Sequence, residues 1–257
     1  MSRLCQLCLL ILLFGESQVQ AEPGWIYQTG PIAGLMAGLY DGFAVCPDVL
    51  KRGSSVGVGT FDHLDGEMIV LDDTVYAARQ SGAVEAIKDC STPFATVASF
   101  SDKATKKPWK NLDLSQLEAA TNELIPSLNI PVMIKVQGTF EGVTLRVAPR
   151  QERPYKKLVD AIKQQPIFVR DRVSGTMVGF RMPAYLSGIN VAGYHFHFIS
   201  DDRKFAGHVF RLKVVNAEAT IEPALGLSLG IPRDSAFSSS ILAPASESEV
   251  GKVERAN

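Results

Sequence analysis

The chain has 257 residues, 46% of them hydrophobic and 21% charged, with a formal net charge of −1. That is enough chain for one large or two small well-packed domains, and its composition is not that of a disordered protein. Near-neutrality argues against nucleic acid as a partner, because phosphate binding draws on a surplus of lysine and arginine.

At the start, Arg3 precedes an apolar run from Leu4 to Phe14, and Val19-Gln20-Ala21 supplies the small residues that favour cleavage after Ala21. Residues 1–21 therefore read as a signal peptide, and the protein is expected to be exported, periplasmic or secreted. The apolar run is shorter than the roughly 20 residues of a membrane span, and no later segment approaches one, so no span is expected. Loss of the leader removes Cys5 and Cys8 and leaves Cys46 and Cys90, which an oxidising compartment could join as one disulfide.

Residues 30–42, GPIAGLMAGLYDG, set Ile32, Leu35, Met36 and Leu39 at helical spacing among small residues, which predicts a short, closely packed helix. From Val56 to Phe100 the runs SVGVGTF, EMIVL, TVYAA and PFATVASF are bounded by Gly, Asp or Pro and predict antiparallel strands. The basic run Lys103, Lys106, Lys107 and Lys110 reads as a solvated loop. A helix from Asp113 to Ile125 follows, with Leu114, Leu117, Thr121, Leu124 and Ile125 on one side and Pro126 as its stop. IPVMIKVQGTF and VTLRVAP then meet at Glu141-Gly142, a hairpin signal.

A second helix, Tyr155 to Gln164, turns Leu158, Val159 and Ile162 inward and precedes the strands IFVRDR and TMVGFRM. Helix followed by hairpin thus occurs twice, a hint of a reused unit. The expected fold class is α+β (mixed α/β), with two β-sheet-based domains and flanking helices, over residues 22–126 and 127–222. The tail, residues 223–257, is rich in Gly, Ser, Pro and Ala and reads as a loop or an arm wrapping back to the active site.

Three of the four histidines fall in GYHFHFISDDRKFAGH, Gly193 to His208. The aromatic and β-branched residues around His195 and His197 predict a strand, on which positions two apart face the same way. The polar cluster from Asp201 to Lys204 predicts a turn that brings His208 back beside them. A single histidine on a strand is usually an ordinary hydrogen-bonded residue, and His63, far off in sequence, reads that way. Three imidazoles converging from paired strands are different: they leave a coordination position open, as in a catalytic zinc site. Zinc held by three neutral ligands keeps its dipositive charge for polarising a carbonyl or activating a water.

Other chemistries find little in the sequence. There is no phosphate-binding G-x-x-x-x-G-K-[ST], and GVGTF at Gly57 is only a G-x-G within a predicted strand. No serine nucleophile elbow or Cys-His arrangement stands out. A zinc hydrolase or another zinc lyase is an alternative, whereas a carbohydrate-binding module would want more exposed aromatics than Trp25 and Trp109 in connecting segments.

Four stretches, in order, carry a family resemblance: GLMAGLYDG, GVGTFDHLDGEMIVLD, GTFEGVTLRVAPRQERPY and GYHFHFISDDRKFAGHV. The sequence resembles the acetolactate decarboxylases over essentially the whole exported chain. The resemblance implies two mixed α/β domains, a homodimer, and a zinc enzyme converting 2-acetolactate to acetoin and carbon dioxide in acetoin and butanediol biosynthesis. It implies His195, His197 and His208 as zinc ligands, and Glu67, Arg146 and Glu254 as the polar catalytic residues around them. By pattern alone Glu67 would be an ordinary strand start, Arg146 a residue facing away from Leu145 and Val147, and Glu254 part of a loose terminus.

Overall fold

A computed structural model describes residues 22–244 together with 246, 249, 251 and 253. The expected leader and Glu254 lie outside the described residues. In chain order the chain forms β1 (Trp25–Thr29), α1 (Ile32–Met36), β2 (Ala44–Val45), α2 (Cys46–Leu50), β3 (Val56–Thr60), β4 (Glu67–Leu71) and β5 (Thr74–Ala78). Next come β6 (Val84–Ile87), β7 (Ser91–Thr92), β8 (Ala95–Ala98), β9 (Thr105–Asp113), α3 (Leu114–Leu124) and β10 (Val132–Arg146). The chain continues through α4 (Leu158–Ala161), β11 (Ile167–Met182), β12 (Gly193–Ser200), β13 (Ala206–Pro223), β14 (Gly226–Gly230) and α5 (Ser235–Ser239).

Two sheets dominate. The first runs β14-β1-β8-β3-β4-β5-β6 and the second β10-β11-β12-β13-β9, with β10 also paired to β13 so that four of its strands close on themselves. Val56, Val58 and Ile69 of the first sheet share a core with Met133, Val178, Phe180 and Ile199 of the second, so the sheets pack face to face there. A separate core forms between the second sheet and α3, around Leu117, Phe140, Phe196 and Phe198. Asp113 caps α3 by accepting from the Gln116 N–H, and Gln116 returns the bond to the Asp113 N–H. Among the described residues no helix is long and apolar enough to cross a membrane.

The helix before β10, the four strands between Val56 and Phe100 and the histidine hairpin form at the expected places, whereas the other two helices are shorter than expected: α1 ends at Met36 and α4 spans only Leu158–Ala161 before a 3-10 turn to Gln164. The two other hairpins do not form. Glu141-Gly142 lies inside the continuous β10, where Gly142, at φ +57°, sits in an irregularity of the pairing with β13. IFVRDR and TMVGFRM are likewise halves of one strand, β11, which pairs with β10 from Ile167↔Arg146 to Arg181↔Val132. A glycine that would close a turn in isolation becomes a bulge when strands on both sides continue past it. Of the lysine run, Lys103 lies in a turn, but Lys106, Lys107 and Lys110 are on β9, an edge of the second sheet, where exposed lysines discourage pairing with another chain. The tail is only partly loop, because β14 adds to β1 in parallel. Sheet membership crosses residue 126, since β9 and α3 belong with the second sheet.

Cys46 and Cys90 are joined in a disulfide, 44 residues apart in sequence. It ties α2 to the segment entering β7.

Candidate active site

Register assembles the centre. In β12 the side chains of Phe196 and Phe198 enter the core under α3, so the alternate positions His195 and His197 share the other face. His208 on β13 pairs with His197 on one side and with Arg146 on the other. One row of cross-strand neighbours therefore contains two of the histidines and the arginine. The three rings are 5.0, 5.0 and 5.4 Å apart between centroids. Their ligand atoms all lie within 4.8 Å of one another, and all three residues are buried.

These imidazoles suit a cation. Burial pushes the pKa of both His195 and His197 down to about 3, so their rings stay neutral and keep a lone pair to donate. His197 Nδ1 is 2.7 Å from the Met68 carbonyl oxygen. A carbonyl only accepts, so the hydrogen is on Nδ1 and Nε2 presents its lone pair to the cluster. His195 Nε2 lies 3.2 Å from that atom. A buried group of neutral nitrogens turned toward one point is a donor set for a metal of the imidazole-binding kind.

Glu67 comes to the centre from the other sheet. It is the first residue of β4, entered through a tight turn in which His63, Leu64 and Gly66 have φ of +62°, +57° and +97°. A Cβ at Gly66 would stand 2.2 Å from the Ala78 carbonyl oxygen, so only glycine fits. Thr60 Oγ1 donates to the Gly66 carbonyl at 2.7 Å and pins the turn. Glu67 Oε1 accepts from Arg146 Nη1 at 2.8 Å and from the Ala148 N–H at 3.0 Å, while Oε2 is 3.4 Å from His197 Nε2. Arg146, buried like Glu67, also donates from Nη2 to the Val253 carbonyl at 2.9 Å, and its guanidinium lies over the Phe210 ring. The buried carboxylate and guanidinium thus neutralise each other.

A cavity of about 30 Å³ adjoins these groups. Glu67, Arg146, His195 and Thr60 line it together with Ile32, Leu35, Leu64, Phe94 and Leu158. Of the expected site residues, His195, His197, His208, Glu67 and Arg146 come together; Glu254 is outside the described residues, although its neighbour Val253 reaches the cavity. Thr60, Ala148 and the apolar wall were not singled out from the sequence, since apolar residues facing a cavity carry the same pattern as residues facing a core. His63 lies elsewhere: its Nδ1 is 2.6 Å from the Tyr155 hydroxyl, which donates to Asp41. Asp41, Asp62 and His63 also cluster, with Asp62 accepting from the Gly42 N–H and Asp41 paired with Arg153.

Neutral imidazoles, a paired carboxylate and guanidinium, and a small adjoining cavity together have the layout of an enzyme centre with a candidate three-histidine metal site. The alpha-acetolactate decarboxylase family model matches residues 26–244. An alpha-acetolactate decarboxylase of Methanosarcina mazei is 38% identical over 231 residues, covering 90% of this chain and 80% of that protein. One from Bacillus subtilis is 36% identical over 228 residues, covering 88% and 89%. The crystal structure of alpha-acetolactate decarboxylase from Bacillus subtilis strain 168 matches with a TM-score of 0.86 at 33% identity, covering 90% of this chain and all of that one. The chain belongs to the alpha-acetolactate decarboxylase family.

Proposed function

We propose that the protein converts 2-acetolactate to acetoin and carbon dioxide, in acetoin and butanediol biosynthesis, with zinc held by His195, His197 and His208. The observation that carries this reading is the convergence of the three buried imidazoles with the Arg146–Glu67 pair at one cavity. In acetolactate the carbon that bears the tertiary hydroxyl lies between a carboxylate and a ketone. When bound, a dipositive ion supplies Lewis-acid polarisation of that ketone.

The chain's own groups do the rest. The Arg146 guanidinium matches a carboxylate in shape and charge and orients the group that leaves. As the carbon–carboxyl bond breaks, its electron pair moves toward the ketone and carbon dioxide departs. A proton must then reach one face of the carbon left behind. Glu67 Oε2, which faces the imidazoles, is placed to hold and deliver it, with Glu254 as the second candidate. The apolar wall limits water, which would otherwise compete as a proton source.

Export belongs to the same reading, and the Cys46–Cys90 disulfide supports an oxidising compartment. The experiment supplies racemic acetolactate to purified protein and follows acetoin and carbon dioxide before chelation, after chelation and after zinc is restored. Acetoin formation that chelator abolishes and zinc returns is the expected result. A metal-free protein of full activity would overturn the zinc assignment.

A further inference from the structure

Three of the four stretches that carry the family resemblance, far apart in the chain, meet at one side-chain network outside the cavity. GLMAGLYDG supplies Asp41, GVGTFDHLDGEMIVLD supplies His63, and GTFEGVTLRVAPRQERPY supplies Arg153 and Tyr155. Asp41 accepts from the Tyr155 hydroxyl at 2.7 Å and from Arg153, and the same hydroxyl oxygen lies 2.6 Å from His63 Nδ1. Burial acts to raise the Asp41 pKa, but the hydrogen bonds from Tyr155 and Arg153 outweigh it and hold the carboxyl below its usual range, so Asp41 only accepts. A hydroxyl has one hydrogen, and this one goes to Asp41. His63 Nδ1 is therefore the donor to the Tyr155 oxygen.

We propose that His63 is a positioning residue for the decarboxylation: its imidazole, oriented by Tyr155 and Asp41, fixes the turn from which Glu67 reaches the reacting carbon. The inference rests on the reading of Glu67 as the proton donor. His63 precedes Glu67 by one short turn and is itself in the left-handed conformation, at φ +62°. Its carbonyl accepts from the Gln151 N–H at 2.8 Å, and its Nε2 is 3.4 Å from Asp62 Oδ2. The other Asp62 oxygen accepts from the Gly42 N–H at 2.7 Å.

His63 thus joins the turn to the chain that runs on past Arg146 and Ala148 to Tyr155. Arg146 and Ala148 are the two donors to Glu67 Oε1. One histidine therefore ties the turn that delivers the carboxylate to the segment that receives it. Tyr40, fully buried, backs the network: its hydroxyl donates to the Lys156 carbonyl at 2.9 Å, and its ring centroid is 5.2 Å from that of Tyr155. Arg146 is held independently, by strands paired along both sides of β10, so loosening the turn would shift Glu67 relative to Arg146 rather than move both. A proton donor works only within hydrogen-bond reach, and a misplacement of about 1 Å can cost about 10²-fold in rate.

The test measures kcat, KM and the enantiomeric composition of the acetoin made by the full chain. The variants are Tyr155→Phe, His63→Gly, His63→Asn, the Tyr155→Phe, His63→Gly double variant, and Glu67→Gln as a reference. Glycine adopts φ +62° with no side chain, and asparagine tolerates it while placing an N–H where Nδ1 stands. Circular dichroism and zinc content establish that each variant is folded, and rates are taken well below its melting temperature. Tyr155→Phe and His63→Gly are each expected to lower kcat by about 10–100-fold, to leave KM within about threefold of the parent, and to give less enantiopure acetoin as water protonates either face. His63→Asn should return most of the kcat that His63→Gly loses. The double variant should be about as slow as the slower single one, because hydroxyl and ring act as a unit. A merely structural role would lower melting temperatures and leave kcat and product purity of the folded protein unmoved; that result for Tyr155→Phe and His63→Gly would overturn the positioning role alone. A Glu67→Gln variant as fast and as enantioselective as the parent, or a parent that makes no acetoin, would overturn the reading of the site and this inference with it.

Discussion

Arg146 serves two partners at once: it neutralises Glu67 inside the protein and faces the cavity where a substrate carboxylate would bind. Arg146→Ala should therefore show two separable effects. Turnover of acetolactate should fall by about 10²–10³-fold, the usual consequence of removing a preorganised charge from the reacting group. Stability should fall by about 3–5 kcal/mol, because Glu67 would remain buried without its partner. Zinc content should stay near that of the parent, since the imidazoles are untouched. Steady-state kinetics, urea denaturation and elemental analysis read the three quantities separately.

His195 and His197 give the metal-free protein a defined acid sensitivity. Their folded pKa values, about 3, lie below the unfolded value of about 6.5, so the unfolded chain takes up protons first as pH falls. The stability tied to their neutral form is full above pH 6.5 and is lost progressively down to about pH 3. Urea midpoints of chelated protein should be lower at pH 5 than at pH 7.5, and His195→Gln should flatten the difference. Equal midpoints in the parent would contradict the burial argument.

Among the elements, the turn from Asp62 to Gly66 matters most, because it delivers Glu67 to histidines held by the other sheet. Three of its residues have positive φ, and it is fastened from several sides: the His63 N–H donates to the Tyr40 carbonyl, the Gln151 N–H to the His63 carbonyl, and Arg79 to Asp65. Gly66→Ala should force the Ala78 carbonyl away and shift Glu67. Destabilisation of at least about 1–3 kcal/mol is expected, with a loss of turnover greater than unfolding explains. Thermal melts and kcat measured well below the melting temperature would show both. A second element-scale effect comes from β10 and β11, whose full-length pairing holds Arg146 in register with His208.

For the whole molecule, the Cys46–Cys90 link encloses a span of 44 residues that contains β3, β4 and β5. By the chain-entropy reckoning, closing a loop of this size stabilises the fold by roughly 4 kcal/mol. The Cys46→Ser, Cys90→Ser double variant should unfold at correspondingly lower denaturant while retaining zinc, and its activity at low temperature should be close to that of the parent. Mass spectrometry of protein recovered from outside the cytoplasm should find a mature chain beginning near Glu22. An intact Met1 on soluble cytoplasmic material would refute export.

The sequence by itself determined what depends on neighbours within a few residues. Alternation in GYHFHFIS put His195 and His197 on one face, the polar turn after Ser200 returned His208 to them, and Asp113 with Gln116 marked the start of α3. Only the tertiary structure decided the rest. Whether Gly142 closes a hairpin or sits in a bulge depends on strands paired to both flanks, and whether Leu158 or Phe94 faces a core or a cavity depends on what stands opposite. Glu67 and Arg146 are 79 residues apart and lie on different sheets, so nothing local could bring them to 2.8 Å. Their contact exists because the packed faces of the two sheets leave a buried carboxylate no better partner than a buried guanidinium.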